Sequence, residues 1–349
     1  MTETVHDVPA LPFDPAADVP ALIDLLIGII PAQVLHALAA LGIPDQLADG
    51  ALSAQEVAER AGTHPRSTYR LMRAAASVGL LRYEGDRRFS LTGQGHLLRT
   101  GIPGSLRALT LVQTGRLHWQ SWTMFPESVR QGTCQAKQVL GADSFDYLAR
   151  PENAAEAALF AESMADLSAL TVAGAVAALD IAGALSAVDV GGADGQFVLA
   201  LMAAHPELSG QVLDLPHAAE RARAHAERRG LSDRFTAVAG DFFEAIPAAD
   251  LYLLKTVLHD WDDERAAAIL RNCRDAAHAG GRLFVVETAL GEIGEPDFAA
   301  LSDMGMLAVT GGVERAFEEF DALFAASGWQ RGRTYPVGGG YFGMELAAV

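Results

Sequence analysis

Hydrophobic and polar positions change rhythm along the chain. From residue 184 onward, short apolar runs alternate with longer segments of helical period. Runs at 187–190, 211–213, 235–239, 251–254 and 282–287 predict strands. The intervening segments 195–205, 217–229 and 262–278 predict helices. Strand–helix alternation of this kind predicts an α/β unit with a doubly wound parallel sheet. A helix over 318–326 and an antiparallel strand pair, 330–336 and 341–346, are expected to close it.

The first hundred residues read differently. Ser53-Ala54-Gln55-Glu56 is a capping box that opens a helix through Ala61. A second helix is predicted over 67–78, with Tyr69, Leu71, Met72 and Ala75 toward a core. Residues 79–83, 84–86 and 88–91 read as strand, tight turn and strand. Helix, turn, helix, hairpin is the winged-helix pattern. Residues from about 104 to 178 predict helices, and Phe160, Met164 and Leu167 share one helical face. Such a stripe serves a core or a ligand pocket. The expected organisation is a mainly α winged-helix domain over 1–103, connecting helices over 104–180 and an α/β domain over 181–349.

Composition narrows the classes. Half of the 349 residues are apolar and a fifth are charged, as in globular domains. The net charge of −18 disfavours nonspecific contact with nucleic acid or an anionic membrane. Arg66, Arg70, Arg73, Arg82, Arg87 and Arg88 on the winged-helix pattern raise the alternative of a DNA-binding regulator. The acidic surroundings favour a dimerisation scaffold, because fold does not fix function. Residues 1 to about 15 are expected to lack structure. Met1 to Pro20 holds no Lys or Arg, unlike a secretory leader. The apolar segment 21–43 is interrupted by Asp24, Gly28, Pro31, Gln33 and His36, which argues against a membrane span. It reads as a buried helix or helix pair packed against another subunit. Cys134 and Cys273 are too few and too far apart for a disulfide framework or a metal site, and suit a cytoplasmic protein.

Candidate chemistry gathers at the predicted strand ends. The strand at 187–190 runs into Gly191-Gly192-Ala193-Asp194-Gly195, Asp214 ends the next strand, and Gly240-Asp241-Phe242 follows the third. Open α/β sheets hold ligands at that end. The turn lacks the glycines of a dinucleotide fingerprint at 193 and 196, and no Gly-Lys-Ser/Thr follows. Asp194 would repel a pyrophosphate, so a cationic or zwitterionic nucleoside fits better, S-adenosylmethionine being one. Asp214 suits a ribose diol, and Asp241 with Phe242 suits an adenine edge and face. His259 follows the strand at 251–254, where a neutral imidazole can take a proton from a phenol. Glu287 ends the next strand, and Glu314 follows Gly311-Gly312. Both are placed to orient that ring. The acidic run Asp260, Asp262, Asp263, Glu264 reads as a helix cap with dipole partners rather than a metal site.

These motifs, in this order, resemble a family of two-domain, small-molecule, class I S-adenosylmethionine-dependent O-methyltransferases. Plant caffeic acid enzymes and bacterial antibiotic-pathway enzymes belong to it. The residues carrying the resemblance are Asp189-Val-Gly-Gly, Asp214-Leu215-Pro216, Gly240-Asp241-Phe242-Phe243, His259-Asp260-Trp261 and Gly312-Val-Glu314-Arg315. The resemblance covers nearly the whole chain. It implies a Rossmann-like cofactor domain, a homodimer formed through the N-terminal domain, and no metal. It also implies a cofactor site of Asp189, Gly191, Gly192, Gly195, Asp214, Leu215, Gly240, Asp241, Phe242 and Lys255. His259 is then the base, flanked by Glu287 and Glu314. Val112, Gln113, Trp119, Phe160, Met164 and Met306 become candidates to line the pocket of an aromatic, hydroxylated acceptor. Two positions depart from the family pattern. Ala193 replaces a usual glycine and predicts negative φ or strain, and Leu167 stands where some plant members are polar. Altered chemistry on the same cofactor, or methyl transfer to nitrogen or carbon, are the alternatives. The retained His259 favours oxygen.

Overall fold

The computed structural model describes residues 14–349. The segment 1–13, expected to lack structure, lies outside the described residues. The chain divides between Thr114 and Gly115 into two compact units.

The first unit opens with two helices, Pro15–Ile27 and Ile29–Ala40, separated at Gly28. Only the second enters the core, through Val34, Leu38 and Ala39. Within one copy, then, burial is confined to the second half of the apolar segment. Leu22, Leu25, Leu26 and Ile30 are exposed, Leu25 by 80%. The predicted capping box is present, with Ser53 accepting from the Glu56 backbone and Glu56 from that of Ser53. The helix Pro65–Ser77 buries Met72 and Ala75 and leaves Tyr69 and Leu71 half-buried. A three-stranded sheet follows: β1 (Leu52–Ser53), β2 (Leu81–Gly85) and β3 (Arg88–Leu91), in the order β1-β3-β2. Asp86 and Arg87, both at positive φ, make the two-residue turn of the β2–β3 hairpin.

The second unit begins with helices, among them Arg116–Thr123 and the long Ala154–Ala178. Its sheet has seven strands: β4 (Ser186–Val190), β5 (Ser209–Asp214), β6 (Phe235–Ala239), β7 (Ala249–Lys255), β8 (Ala277–Glu287), β9 (Trp329–Gly338) and β10 (Tyr341–Ala348). The order is β6-β5-β4-β7-β8-β10-β9, with β4 to β8 parallel and β10 antiparallel to both neighbours. Alternation splits the core in two, because successive strand side chains point to opposite faces. Val188, Val190, Tyr252 and Leu254 pack on the face with the helices Asp263–Ala276 and Phe317–Ala326. Ala187, Leu251 and Leu253 pack on the other, with Val172 and Ala175 of the long helix.

Among the described residues, two stretches, Ala16–Ala40 and Pro151–Ala178, are long and apolar enough to cross a membrane. The second supplies part of this sheet's core. The winding direction reverses at β4, so the gap between the C-terminal ends of β4 and β7 is a topological switch point. Ligands bind there in open α/β sheets.

Candidate active site

Five parallel strands deliver the candidate residues to one edge. β4 ends at Val190 and turns through Gly191–Gly195, β5 ends at Asp214, and Gly240-Asp241-Phe242 follows β6. Lys255 ends β7 and Glu287 ends β8. Gly191 and Gly195 have φ of 68° and 76°, a region open chiefly to glycine. A Cβ on Gly191 would meet Val257 at 3.0 Å and the Phe242 ring at 3.6 Å, so three loops converge there. A Cβ on Gly192 would lie 2.4 Å from Asp189 Cγ. That near-contact lets the turn fold back over the buried Asp189 carboxyl, which burial pushes up to about 7. Ala193 has φ of 51°. The strained option is thus the one realised, at a cost of about 1–2 kcal/mol. Its N–H donates to Asp214 Oδ2 at 2.8 Å, and Asp214 Oδ1 accepts from the Leu215 N–H at 2.6 Å. The Leu215 side chain is itself half-exposed.

Asp241 is exposed, and its carboxylate accepts from the Phe243 N–H. Beside it lies a shallow cleft of about 320 Å³ lined by Leu213, Val238, Gly240 and Ile246, among others. Lys255 Nζ reaches Thr256 Oγ1 at 3.3 Å. Burial lowers the Lys255 pKa, while Asp189 and Glu287 act against that lowering. The donor set fits a ligand that carries positive charge and hydroxyls. Its carboxylates, Asp189, Asp194, Asp214 and Asp241, would repel a phosphate.

His259 sits on the short turn Leu258–Asp260 after β7. Its Nδ1 donates to Glu314 Oε1 at 3.2 Å, and Glu287 Oε2 lies 3.9 Å from the same nitrogen. Nε2 is 3.8 Å from Asp260 Oδ1, beyond hydrogen-bond range. Glu287 is wholly buried, and its Oε1 accepts from the Val257 and Leu258 N–H groups. Glu314 also accepts from Ser302 Oγ at 2.8 Å and Thr288 Oγ1 at 2.6 Å. Burial alone would lower the His259 pKa. Glu287, Asp260 and Glu314 outweigh it and raise the ring to about 10. Burial pushes Glu287 and Asp260 up. Burial opposes ionisation of Glu314 as well, but the His259 bond and charge hold it down. Relative to a free imidazole, the three carboxylates favour the protonated ring.

Asp262 is the N-cap of Asp263–Ala276, accepting from the Arg265 N–H. The described residues hold no cluster of metal-ligating side chains.

The acceptor candidates are spread over several helices. Val112 and Gln113 belong to the first unit, one buried and one exposed. Trp119 is 41% exposed on Arg116–Thr123. Phe160 packs edge-on against Phe145 beside a small core containing Leu117 and Leu148. Met164 is half-buried on the same long helix, and Met306 is half-buried on Phe298–Val309. Ser302 and Thr288 join the site without a signal in the sequence. A lone Ser on a helix and a Thr at a strand end carry no local sign that they will meet a glutamate.

Two family models match this chain. One, an O-methyltransferase domain, covers residues 122–330, and the other, an O-methyltransferase dimerisation domain, covers 23–101. The chain belongs to the S-adenosylmethionine-dependent O-methyltransferase family. A phenazine O-methyltransferase of Lysobacter antibioticus is 34% identical over 94% of this chain and 96% of its own length. The O-demethylpuromycin-O-methyltransferase of Streptomyces alboniger is 37% identical over 90% and 85%. A solved O-methyltransferase from neocarzinostatin biosynthesis, in complex with S-adenosylmethionine and 2-hydroxy-5-methyl naphthoic acid, superposes with a TM-score of 0.80. It is 33% identical, over 92% of this chain and 96% of that one.

Proposed function

We propose that the chain methylates a phenolic hydroxyl of a small aromatic natural product, working as a homodimer in the cytoplasm. The observation that carries the reading is the His259 ring, held through Nδ1 by Glu314 and leaving Nε2 without a protein hydrogen bond. The turn Gly191–Gly195, with Asp189 beneath it and Lys255 near, would hold the amino-acid end of S-adenosylmethionine. Asp214 and Leu215 would take the ribose, and Gly240, Asp241 and Phe242 the adenine. When bound, that cofactor supplies an electrophilic methyl group. His259 Nε2 accepts the hydroxyl proton of the acceptor, and Glu287 and Glu314 stabilise the imidazolium that results. A phenol has a pKa of about 10. A ring raised toward 10 takes that proton almost evenly once it is itself unprotonated, which near neutral pH costs about 4 kcal/mol. A ring at its ordinary ~6.5 would take that proton at a cost of about 5 kcal/mol.

Phe160, Met164, Met306 and Trp119 are the proposed acceptor-lining residues of the second unit. The exposed Leu22, Leu25 and Leu26 support pairing of two copies, since an apolar face of this kind marks an interaction site. The free thiols Cys134 and Cys273 suit a reducing compartment.

The test is methyl transfer to a panel of phenols and hydroxynaphthoic acids, 2-hydroxy-5-methyl naphthoic acid included, with product mass as readout. His259→Ala should slow turnover by about 100- to 10,000-fold with cofactor affinity unchanged in calorimetry. Full activity in that variant refutes the assignment.

A further inference from the structure

Arg315 has no part in the mechanism above, yet it is among the largest fully buried side chains, 1% exposed. A buried guanidinium is costly unless its donors are satisfied, and here each of its three nitrogens has a partner. Nε donates to Asp263 Oδ1 at 2.9 Å, and Nη2 lies 2.8 Å from the same oxygen. Nη2 also donates to the Trp261 carbonyl at 2.8 Å. Nη1 donates to the Leu258 carbonyl at 3.1 Å and the Val313 carbonyl at 3.5 Å.

The identity of those carbonyls is informative. Leu258 and Trp261 bracket the turn that carries His259, and Val313 immediately precedes Glu314. One planar group therefore grips the backbone on both sides of the His259–Glu314 pair. The two segments are already in close contact. The Val313 N–H donates to the His259 carbonyl at 2.8 Å, and a Cβ on Gly312 would lie 1.9 Å from that carbonyl oxygen. Asp263, 81% exposed at its side chain, anchors the guanidinium from the solvent side.

We propose that Arg315 is a positioning residue: its fork fixes the separation of His259 from Glu314, and so where Nε2 meets the acceptor hydroxyl. This rests on the reading of His259 as the base. Lysine at this position keeps the charge but lacks the rigid planar fork that spans the carbonyls of both segments. The 3.2 Å bond from Nδ1 to Glu314 then loosens.

The experiment uses Arg315→Lys in the full chain. Histidine-labelled protein is titrated by NMR, which needs no acceptor. Methyl transfer is then measured with the most active phenol of the panel, and calorimetry with S-adenosylmethionine checks that the cofactor site is intact. The His259 titration should move down by about one pH unit, a tenfold loss of proton affinity. Turnover should fall by about 10- to 100-fold, the scale of a misplacement near 1 Å, with cofactor affinity unchanged. His259→Ala combined with Arg315→Lys should be no slower than His259→Ala alone, since a residue acting through another adds nothing once that other is gone. An unmoved titration with wild-type turnover overturns the proposal, and so does a double variant in which the two losses multiply. Full activity of His259→Ala overturns the base assignment instead, which keeps the two failures apart. If the lysine variant does not fold, Arg315→Gln enters the same comparison with the same outcomes.

Discussion

Replacing Glu287 by Gln removes one charge from beside His259 while sparing its backbone contacts. Oε1 accepts from the Val257 and Leu258 N–H groups at 3.0 and 2.8 Å, and an amide oxygen can keep both. Oε2 is buried, has no hydrogen-bond partner and lies 3.9 Å from His259 Nδ1. Unit charges at that distance attract by about 4 kcal/mol at an effective dielectric near 20, and by about 1 kcal/mol in water. One pKa unit is about 1.4 kcal/mol, so the ring should fall from about 10 by roughly 1 to 3 units. The upper figure assumes full ionisation of Glu287, and burial pushes that carboxyl up. Titration of labelled histidine by NMR reads the shift directly. The pH–rate profile gives a second reading. Only the unprotonated ring accepts a proton, so the limb that rises with pH should move down by the same interval. Stability follows with a definite sign. A raised histidine pKa contributes stability that is fully present below about 6.5 and lost as pH rises toward 10. Unfolding free energy should therefore vary less across that window in Glu287→Gln. A His259 titration unmoved by the substitution would refute the role given to the buried carboxylate.

Two further outcomes are expected. Asp214→Ala should weaken cofactor binding and free the Ala193 N–H, leaving a residue at φ 51° without its anchor; an unchanged calorimetric titration would count against the ribose role. Leu25→Asp combined with Leu26→Asp places two charges on the exposed face of the first helix. Analytical ultracentrifugation should then find a monomer, whereas an intact dimer would locate the interface elsewhere.

Much of the fold was legible because it depends on local chemistry. Short apolar runs that stop at a glycine or a charged residue marked β4 to β7 close to their observed ends. The Ser53–Glu56 box and the Asp262 cap are contacts between residues three apart, so spacing alone exposes them. The glycine turn, Asp214, Asp241 and His259 were legible because a parallel sheet brings the C-terminal ends of its strands to one edge. What the sequence could not decide are quantities set by distance across the fold. It left open whether Ala193 adopts negative φ or strain, and the bond to Asp214 selects strain. A histidine alone titrates near ~6.5. Glu287 and Glu314, 28 and 55 residues further along the chain, raise that value. Ser302, Thr288 and Arg315 acquire tasks only when β8, the helix Phe298–Val309 and the Gly311-Gly312 turn close around one imidazole. The order of the strands settled which groups share an edge. Packing to within an ångström sets how far each group shifts its neighbours' titration, because electrostatic energy in a buried site depends steeply on separation and on the exclusion of water.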